Sequence, residues 1–229
     1  MDIFGLALTD YYRQPLNSTL WLHNNYGAPE EMPVDVFFRN DQEMPDLELV
    51  ALKHCKGKIL DIGAGAGSHA LILQAQHFDV TALEISKAAC QIMKDRGVQK
   101  IINQSVYDYH GYKYDTIIML MNGIGLSENI EGLKKFLIHA KTLLNTDGQL
   151  LFDTSDIAYL YQDIEIPANN YYGEISYRYE YKAEFGEWFN WLYIDETYLE
   201  KISTEKGWKF EKLYEDDMDQ FLVRLTPIM

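Results

Sequence analysis

Between Leu60 and Leu71 the chain reads LDIGAGAGSHAL, with Asp61 two residues ahead of Gly63 and with Gly65 and Gly67 following at alternate positions. Glycines so placed strip β-carbons from a turn and admit positive φ, so a ligand can approach the backbone and use its N–H groups. Three glycines in five residues also cost too much chain entropy for an ordinary turn, and a ligand loop is the reading adopted. A carboxylate beside such a loop restricts the ligand. A dinucleotide would bring its pyrophosphate to this place, where two like charges about 5 Å apart in a partly dry site repel by an amount on the order of kcal/mol. The spacing points the same way, because dinucleotide loops read GxGxxG and Ser68 stands where the third glycine would fall.

Two further acids follow. Glu84 in VTALEIS comes 21 residues after Gly63 and can accept both hydroxyls of a ribose. That ribose belongs to NAD and to S-adenosylmethionine alike, so Glu84 supports an adenosine without choosing between them. Asp108 in SVYDY can accept an adenine amino group while Tyr107 offers its backbone N–H or packs on the ring. S-adenosylmethionine is cationic where a dinucleotide is anionic, so Asp61 favours it. A nicotinamide oxidoreductase and a non-catalytic binding or sensor protein for S-adenosylmethionine are the alternatives.

The elements that must position these acids alternate in type from Lys58 onward, the pattern of a parallel sheet with crossover helices. Strands are expected at 58–63, 79–86, 100–109, 114–121 and 148–155, so that Asp61, Glu84 and Asp108 end three successive strands on the sheet edge where ligands bind. Helices are expected at 68–77, 87–97 and 129–144, the second stopped by Gly97. After Ser155 the texture changes. Residues 174–195 alternate aromatic and polar side chains about Phe185-Gly186-Glu187, as a two-stranded ribbon would, and a helix (196–207) and two strands (209–217, 219–228) close the chain. The first 57 residues read as helices and loops punctuated by Pro15, Pro29, Pro33 and Pro45.

In this order the motifs resemble those of the class I S-adenosylmethionine-dependent methyltransferases: ILDIGAGAGSHAL their glycine-rich motif, VTALEIS the ribose-binding strand, SVYDY the adenine-binding acid, YDTIIMLMNGIGL the fourth strand and LLNTDGQLLFD the turn and strand beyond. The resemblance implies an α/β fold, a three-layer doubly wound seven-stranded sheet, mostly parallel, whose last strand is antiparallel and inserted next to the fifth. To this the sequence adds an N-terminal helical cap and an aromatic β-ribbon, all in one domain: cap 1–50, cofactor core 51–155, loop and ribbon 156–195, terminal helix and strands 196–229. It implies that Asp61, Gly63, Ala64, Gly65 and Gly67 hold the methionine moiety, that Glu84 and Ile85 hold the ribose and its surroundings, that Tyr107 and Asp108 hold the adenine, and that Met121 and Asn122 lie near the transferable methyl. LNTDGQ stands where relatives often carry Pro-Gly-Gly, and its Asn145, Asp147 and Gly148 favour a turn. MNGIG replaces the Asn/Asp-Pro-Pro-Tyr/Phe motif of enzymes that methylate DNA bases and protein glutamines, and a small-molecule acceptor is expected.

Methyl transfer asks an enzyme to align a nucleophile, exclude water and, where needed, remove a proton. For these tasks the sequence offers the stretch 10–27, with Tyr11, Tyr12, Arg13, Trp21, His23 and Tyr26, and the ribbon, with Tyr177, Tyr179, Tyr181, Trp188, Trp191 and Tyr193. His23 is the expected general base because an imidazole titrates near neutrality; Tyr11 and Asn122 are further catalytic candidates. The ribbon aromatics could cage a planar or cationic substrate. They equally suit cross-strand packing or a homodimer interface, which is the reading taken.

Composition narrows the partners. With 20 basic and 35 acidic residues, net −15, the surface repels polyphosphates, so nucleic acid is not an expected partner. The two cysteines and six histidines form no metal-binding spacing, and no metal is expected. No apolar run approaches the roughly 20 residues of a membrane span, and the start MDIFGLALTDYYRQ lacks a secretory pattern. A soluble, cytoplasmic protein is expected.

Overall fold

The computed structural model describes residues 1–14, 18–162 and 170–228, which leaves Pro15 and part of the segment before the ribbon outside the described residues. The chain opens with α1 (Ile3–Arg13), β1 (Leu20–Asn24), β2 (Glu30–Met32), a 3-10 turn at Asp35–Phe38 and α2 (Asp46–Lys53). The regular alternation follows: β3 (Lys58–Ile62), α3 (Ser68–Ala75), β4 (Asp79–Glu84), α4 (Lys87–Arg96), β5 (Ile101–Asn103), β6 (Tyr114–Met119), α5 (Ile130–Thr142) and β7 (Leu144–Ser155). Beyond it lie β8 (Glu174–Tyr181), β9 (Glu184–Phe185), β10 (Phe189–Leu192), α6 (Glu196–Glu205), β11 (Trp208–Glu215) and β12 (Gln220–Pro227).

Seven strands form the core sheet in the order β11-β12-β7-β6-β3-β4-β5. The pairs β3–β4, β4–β5, β3–β6 and β6–β7 are parallel, while β12 runs antiparallel between β11 and β7. This is the expected doubly wound sheet with its last strand inserted beside the fifth. Its strands are apolar on both faces because helices cover both. Successive residues point to opposite sides: Leu60, Ile117 and Phe152 pack toward α5 and α6, and Ile59, Ile118 and Leu151 pack toward α2 and α3. Helix ends are set by local chemistry. Ser86 accepts the Ala89 N–H at the start of α4, and Gly97, in the left-handed region, ends it.

Four expectations need correction. The third strand stops at Asn103, because Ser105 accepts the Tyr107 N–H and turns the chain into a 3-10 segment, so Asp108 does not end a strand. The turn expected at Asn145–Gly148 is an irregular stretch inside β7, which starts at Leu144 beside Tyr114. The ribbon turns at Lys182-Ala183, between the paired residues Tyr181 and Glu184, and Gly186–Trp188 form a bulge before β10 rejoins β8. Lastly, the N-terminal cap is not all helical. β1 and β2 join the ribbon in a second, antiparallel sheet of order β10-β8-β1-β2, with β9 also on β8. The alternation of Leu20 and Leu22 with Trp21 and His23 in LWLHN suits a strand, but its partner β8 is too distant along the chain for local patterning to reveal.

This second sheet roofs the ends of β3, β4 and β6. Helix α1 lies between roof and core, with Leu8 packed among Ala66, Ala89 and Ile92.

Candidate active site

The glycine loop leaves β3 with Gly63, Gly65 and Gly67 all at positive φ, as the sequence spacing required. Beneath it Asp61 is buried at 2% exposure, and its Oδ2 has no hydrogen-bond partner among the described residues. Burial pushes this carboxyl up to about 6, partly opposed by the nearby His69. His69, in the first turn of α3, places Nε2 2.6 Å from Glu48 Oε2, and Arg39 Nη2 is 2.6 Å from Glu48 Oε1. Burial disfavours the imidazolium, yet the Glu48 bond and the field of Asp61 overcome it and hold His69 above its ordinary value. A chain of alternating charge, Arg39, Glu48, His69 and Asp61, thus supports the loop from below.

Glu84 ends β4, almost fully buried, and its two oxygens accept the Gly65 N–H (3.0 Å) and the Ser86 N–H (2.8 Å). Both bonds orient the carboxylate rigidly beside the loop. Ser86 donates in turn to Asp2 (2.5 Å), whose other oxygen accepts the Gly5 N–H, so the first turn of α1 is fastened to the first turn of α4. Ser68 is occupied elsewhere, donating to the Phe37 carbonyl at 2.8 Å and tying the N-terminal segment down.

At the end of β6, Met121 and Asn122 are consecutive non-glycine residues in the left-handed region, with φ of 64° and 54°. Each such residue is strained by roughly 1 kcal/mol or more. The clamp is Asp153 on β7, fully buried, whose Oδ2 accepts the Asn122 N–H (2.8 Å) and the Gln220 side-chain N–H (2.6 Å). Burial pushes Asp153 up to about 6 as well.

These edges and the roof enclose a cavity of about 820 Å³, lined by Asp61, Gly63, Ala64, Gly65, Glu84, Ile85, Met121 and Asn122 from the core. From the roof come Tyr177, Tyr179, Trp188, Phe189, Trp191 and Tyr193, and from α1 come Met1 to Phe4. The volume is that of a small-molecule site. The expected packing role of the ribbon is therefore incomplete: Tyr181 packs on Ile3, Ala7 and Leu20, whereas Tyr177, Tyr179, Trp188, Trp191 and Tyr193 line the cavity.

Several expected residues stand outside the lining. Gly67 is a packing glycine, since a β-carbon there would press on Met93 and Val98 of the α4 region. Tyr107 and Asp108 are exposed on their 3-10 turn. Tyr11 packs on Phe38. His23 lies one residue beyond the cavity-facing Leu22, so the strand pleat turns it to the opposite face of the roof, where Nε2 is 2.6 Å from Glu180. Glu48, His69 and Asp153 were missed. Asp153 had a signal, for LLFD places an acid near the end of a strand as ILDI and ALEI do; Glu48 had none, because α2 meets the loop only in the folded chain.

A family model described as a methyltransferase domain matches residues 37–213. A SAM-dependent methyltransferase from Bacteroides fragilis, solved in complex with S-adenosyl-L-homocysteine, is 38% identical over 100% of this chain and 95% of its own, with a TM-score of 0.93. The chain belongs to the class I S-adenosylmethionine-dependent methyltransferases. The methyltransferase shares its fold more distantly with the sugar N-methyltransferase KedS8 from a Streptoalloteichus species: 16% identity, 90% of this chain and 97% of that one, TM-score 0.60. A S-adenosylmethionine-dependent methyltransferase from Clostridium acetobutylicum is alike at 15% identity, 80% and 88% coverage and a TM-score of 0.59. No curated protein matches it.

S-adenosylmethionine is the cofactor of this methyltransferase, and the residues present fit it. The unpartnered Asp61 oxygen suits an ammonium, and Glu84 suits a ribose diol. Among the described residues no group of His, Cys, Asp and Glu is placed to hold a metal ion, and no helix is long and apolar enough to cross a membrane.

Proposed function

We propose that the enzyme transfers a methyl group to a small-molecule acceptor by in-line displacement, with the acceptor held between the β6 edge and the aromatic roof. The bound cofactor supplies an electrophilic methyl on a sulfonium. Asp61 takes the cofactor's ammonium, the backbone of Gly63, Ala64 and Gly65 its carboxylate, Glu84 the ribose, and Ile85 the adjoining apolar surface. Met121 and Asn122 flank the place of transfer. The roof excludes water and aligns the acceptor, which accounts for the main catalytic demands of such a displacement. Tyr107, Asp108, His23 and Tyr11 carry no part of this assignment, since none lines the cavity.

The observation that carries the reading is the buried, unpartnered Oδ2 of Asp61 on the wall of a cavity shared with the glycine loop and Glu84. Calorimetry with S-adenosylhomocysteine tests it. Asp61→Ala and Glu84→Ala are each expected to weaken binding about 10- to 100-fold, the value of a charge-assisted hydrogen bond. Unchanged affinity in both variants would overturn the assignment.

A further inference from the structure

Four rings of the roof line the cavity as walls tilted against one another. Tyr177 and Tyr193 stand 6.5 Å apart at 72°, Phe189 and Trp191 6.3 Å apart at 81°, and Tyr177 and Phe189 6.2 Å apart at 40°. Trp191 is fixed against the β6 edge, since its indole fills the space a β-carbon on Gly125 would take. Trp188 is not part of this box, because the Arg178 guanidinium already lies over its ring at 4.9 Å.

The box also has a polar exit. The Tyr177 hydroxyl donates to that of Tyr193 at 3.3 Å, the hydroxyls of Tyr177 and Tyr26 are 3.4 Å apart, and Tyr26 donates to Glu30 at 2.6 Å. Tyr177 and Tyr193 line the cavity, whereas Glu30 is exposed. Burial first, together with neighbouring acids and hydroxyls, raises all three phenols, so they remain neutral links. On the roof strands Arg178 and Lys182 lie outside the lining, and Glu187 lies within it; the lining's own lysine, Lys87, sits beside Ser86 at the Glu84 end.

We propose that the acceptor is a small-molecule amine that enters as a cation, is held by the faces of Tyr177, Phe189, Trp191 and Tyr193, and loses its proton through Tyr193, Tyr177 and Tyr26 to Glu30. Ring faces attract ammonium groups, and an acid-terminated hydroxyl chain adds to that attraction, whereas a carboxylate or phosphate would meet no counter-ion on the roof. Transfer to such a nitrogen forms one N–C bond, breaks one C–S bond with its electron pair left on sulfur, and releases one proton. The Tyr177 hydroxyl turns from Tyr193 toward Tyr26 and that of Tyr193 toward Tyr177; each hydroxyl then takes a proton on its oxygen and passes its own outward, and Glu30 yields the proton to solvent.

This inference rests on the methyl-transfer reading of the same cavity, and its test separates the two. Protein saturated with S-adenosylhomocysteine is titrated by calorimetry with choline, its neutral carbon isostere 3,3-dimethyl-1-butanol, and the anion 3,3-dimethylbutanoate. Choline is expected to bind about fivefold or more tightly than the alcohol, and Trp191→Leu, Phe189→Leu and Glu30→Gln are each expected to shrink that ratio while S-adenosylhomocysteine affinity stays unchanged. Equal or tighter binding of the alcohol or the anion, binding of none of the three, or a ratio unmoved by all three variants overturns the amine assignment alone. Absence of S-adenosylhomocysteine binding at the outset overturns both readings.

Discussion

His69 Nε2 lies 2.6 Å from Glu48 Oε2, and through this contact a helix outside the cofactor core reaches the first turn after the glycine loop. Both side chains are almost fully buried, with Arg39 on the other Glu48 oxygen. Removing the shared carboxylate leaves two cationic groups in a dry place.

Glu48→Ala is therefore expected to destabilise the fold by about 3–5 kcal/mol, because breaking a buried pair strands its partners. A denaturant titration measures this. A loss below about 1 kcal/mol would show that the Arg39–Glu48–His69 chain is not a structural support.

Asp61 gives opposite pH trends to folding and to cofactor binding. Its folded value is raised to about 6, so the stability it contributes is full below the ordinary carboxylate range and is lost as pH rises through about 6. Binding of an ammonium needs the ionised form and strengthens over the same interval. Asp61→Asn is expected to raise Tm without ligand at about pH 8, to have little effect on it at about pH 4, and to abolish the rise in affinity between about pH 5 and pH 7. Tm scans and calorimetry at those values decide it.

The clamp on the β6 edge separates hydrogen bonding from charge. Asp153→Asn keeps an acceptor oxygen for Asn122 and Gln220, whereas Asp153→Leu leaves both donors unpaired. The leucine variant is expected to lose about 2–4 kcal/mol and the asparagine variant less than half of that. Equal losses, read from chemical denaturation, would assign the role to charge.

Lys182 and Ala183 turn the ribbon with φ of 52° and 63°, values that a two-residue hairpin favours but that these residue types adopt with strain. Replacing the pair with Asn-Gly is expected to stabilise the fold by about 1 kcal/mol, or about 2–4 °C in Tm for a chain of this size. An unchanged or lower Tm would argue against the strain.

The core sheet was legible because each of its signals is local. Alternating apolar runs, the glycine spacing and the acids Asp61 and Glu84 lie within a strand or one turn of it. What escaped depends on distant pairing. LWLHN reads as a strand only once β8 is beside it, and the side on which His23 falls is then set by that pairing and not by its chemistry. Ser105 gives a third kind of miss, where a single side-chain cap ended a strand that apolar content alone would have prolonged.

The roof has a consequence for the order in which the molecule is made. His23 on β1 and Glu180 on β8 meet across 157 positions, so β1 emerges from the ribosome early and waits for its neighbour until most of the chain has been synthesised. Strands β3 to β6 need no such wait, whereas β7 also awaits β12, and closing long loops is slow. The strands that carry the glycine loop, Asp61 and Glu84 thus pair with neighbours made soon after them, before the roof and before the β12 edge of the sheet, so the cofactor loop is laid down ahead of the surfaces that face the acceptor.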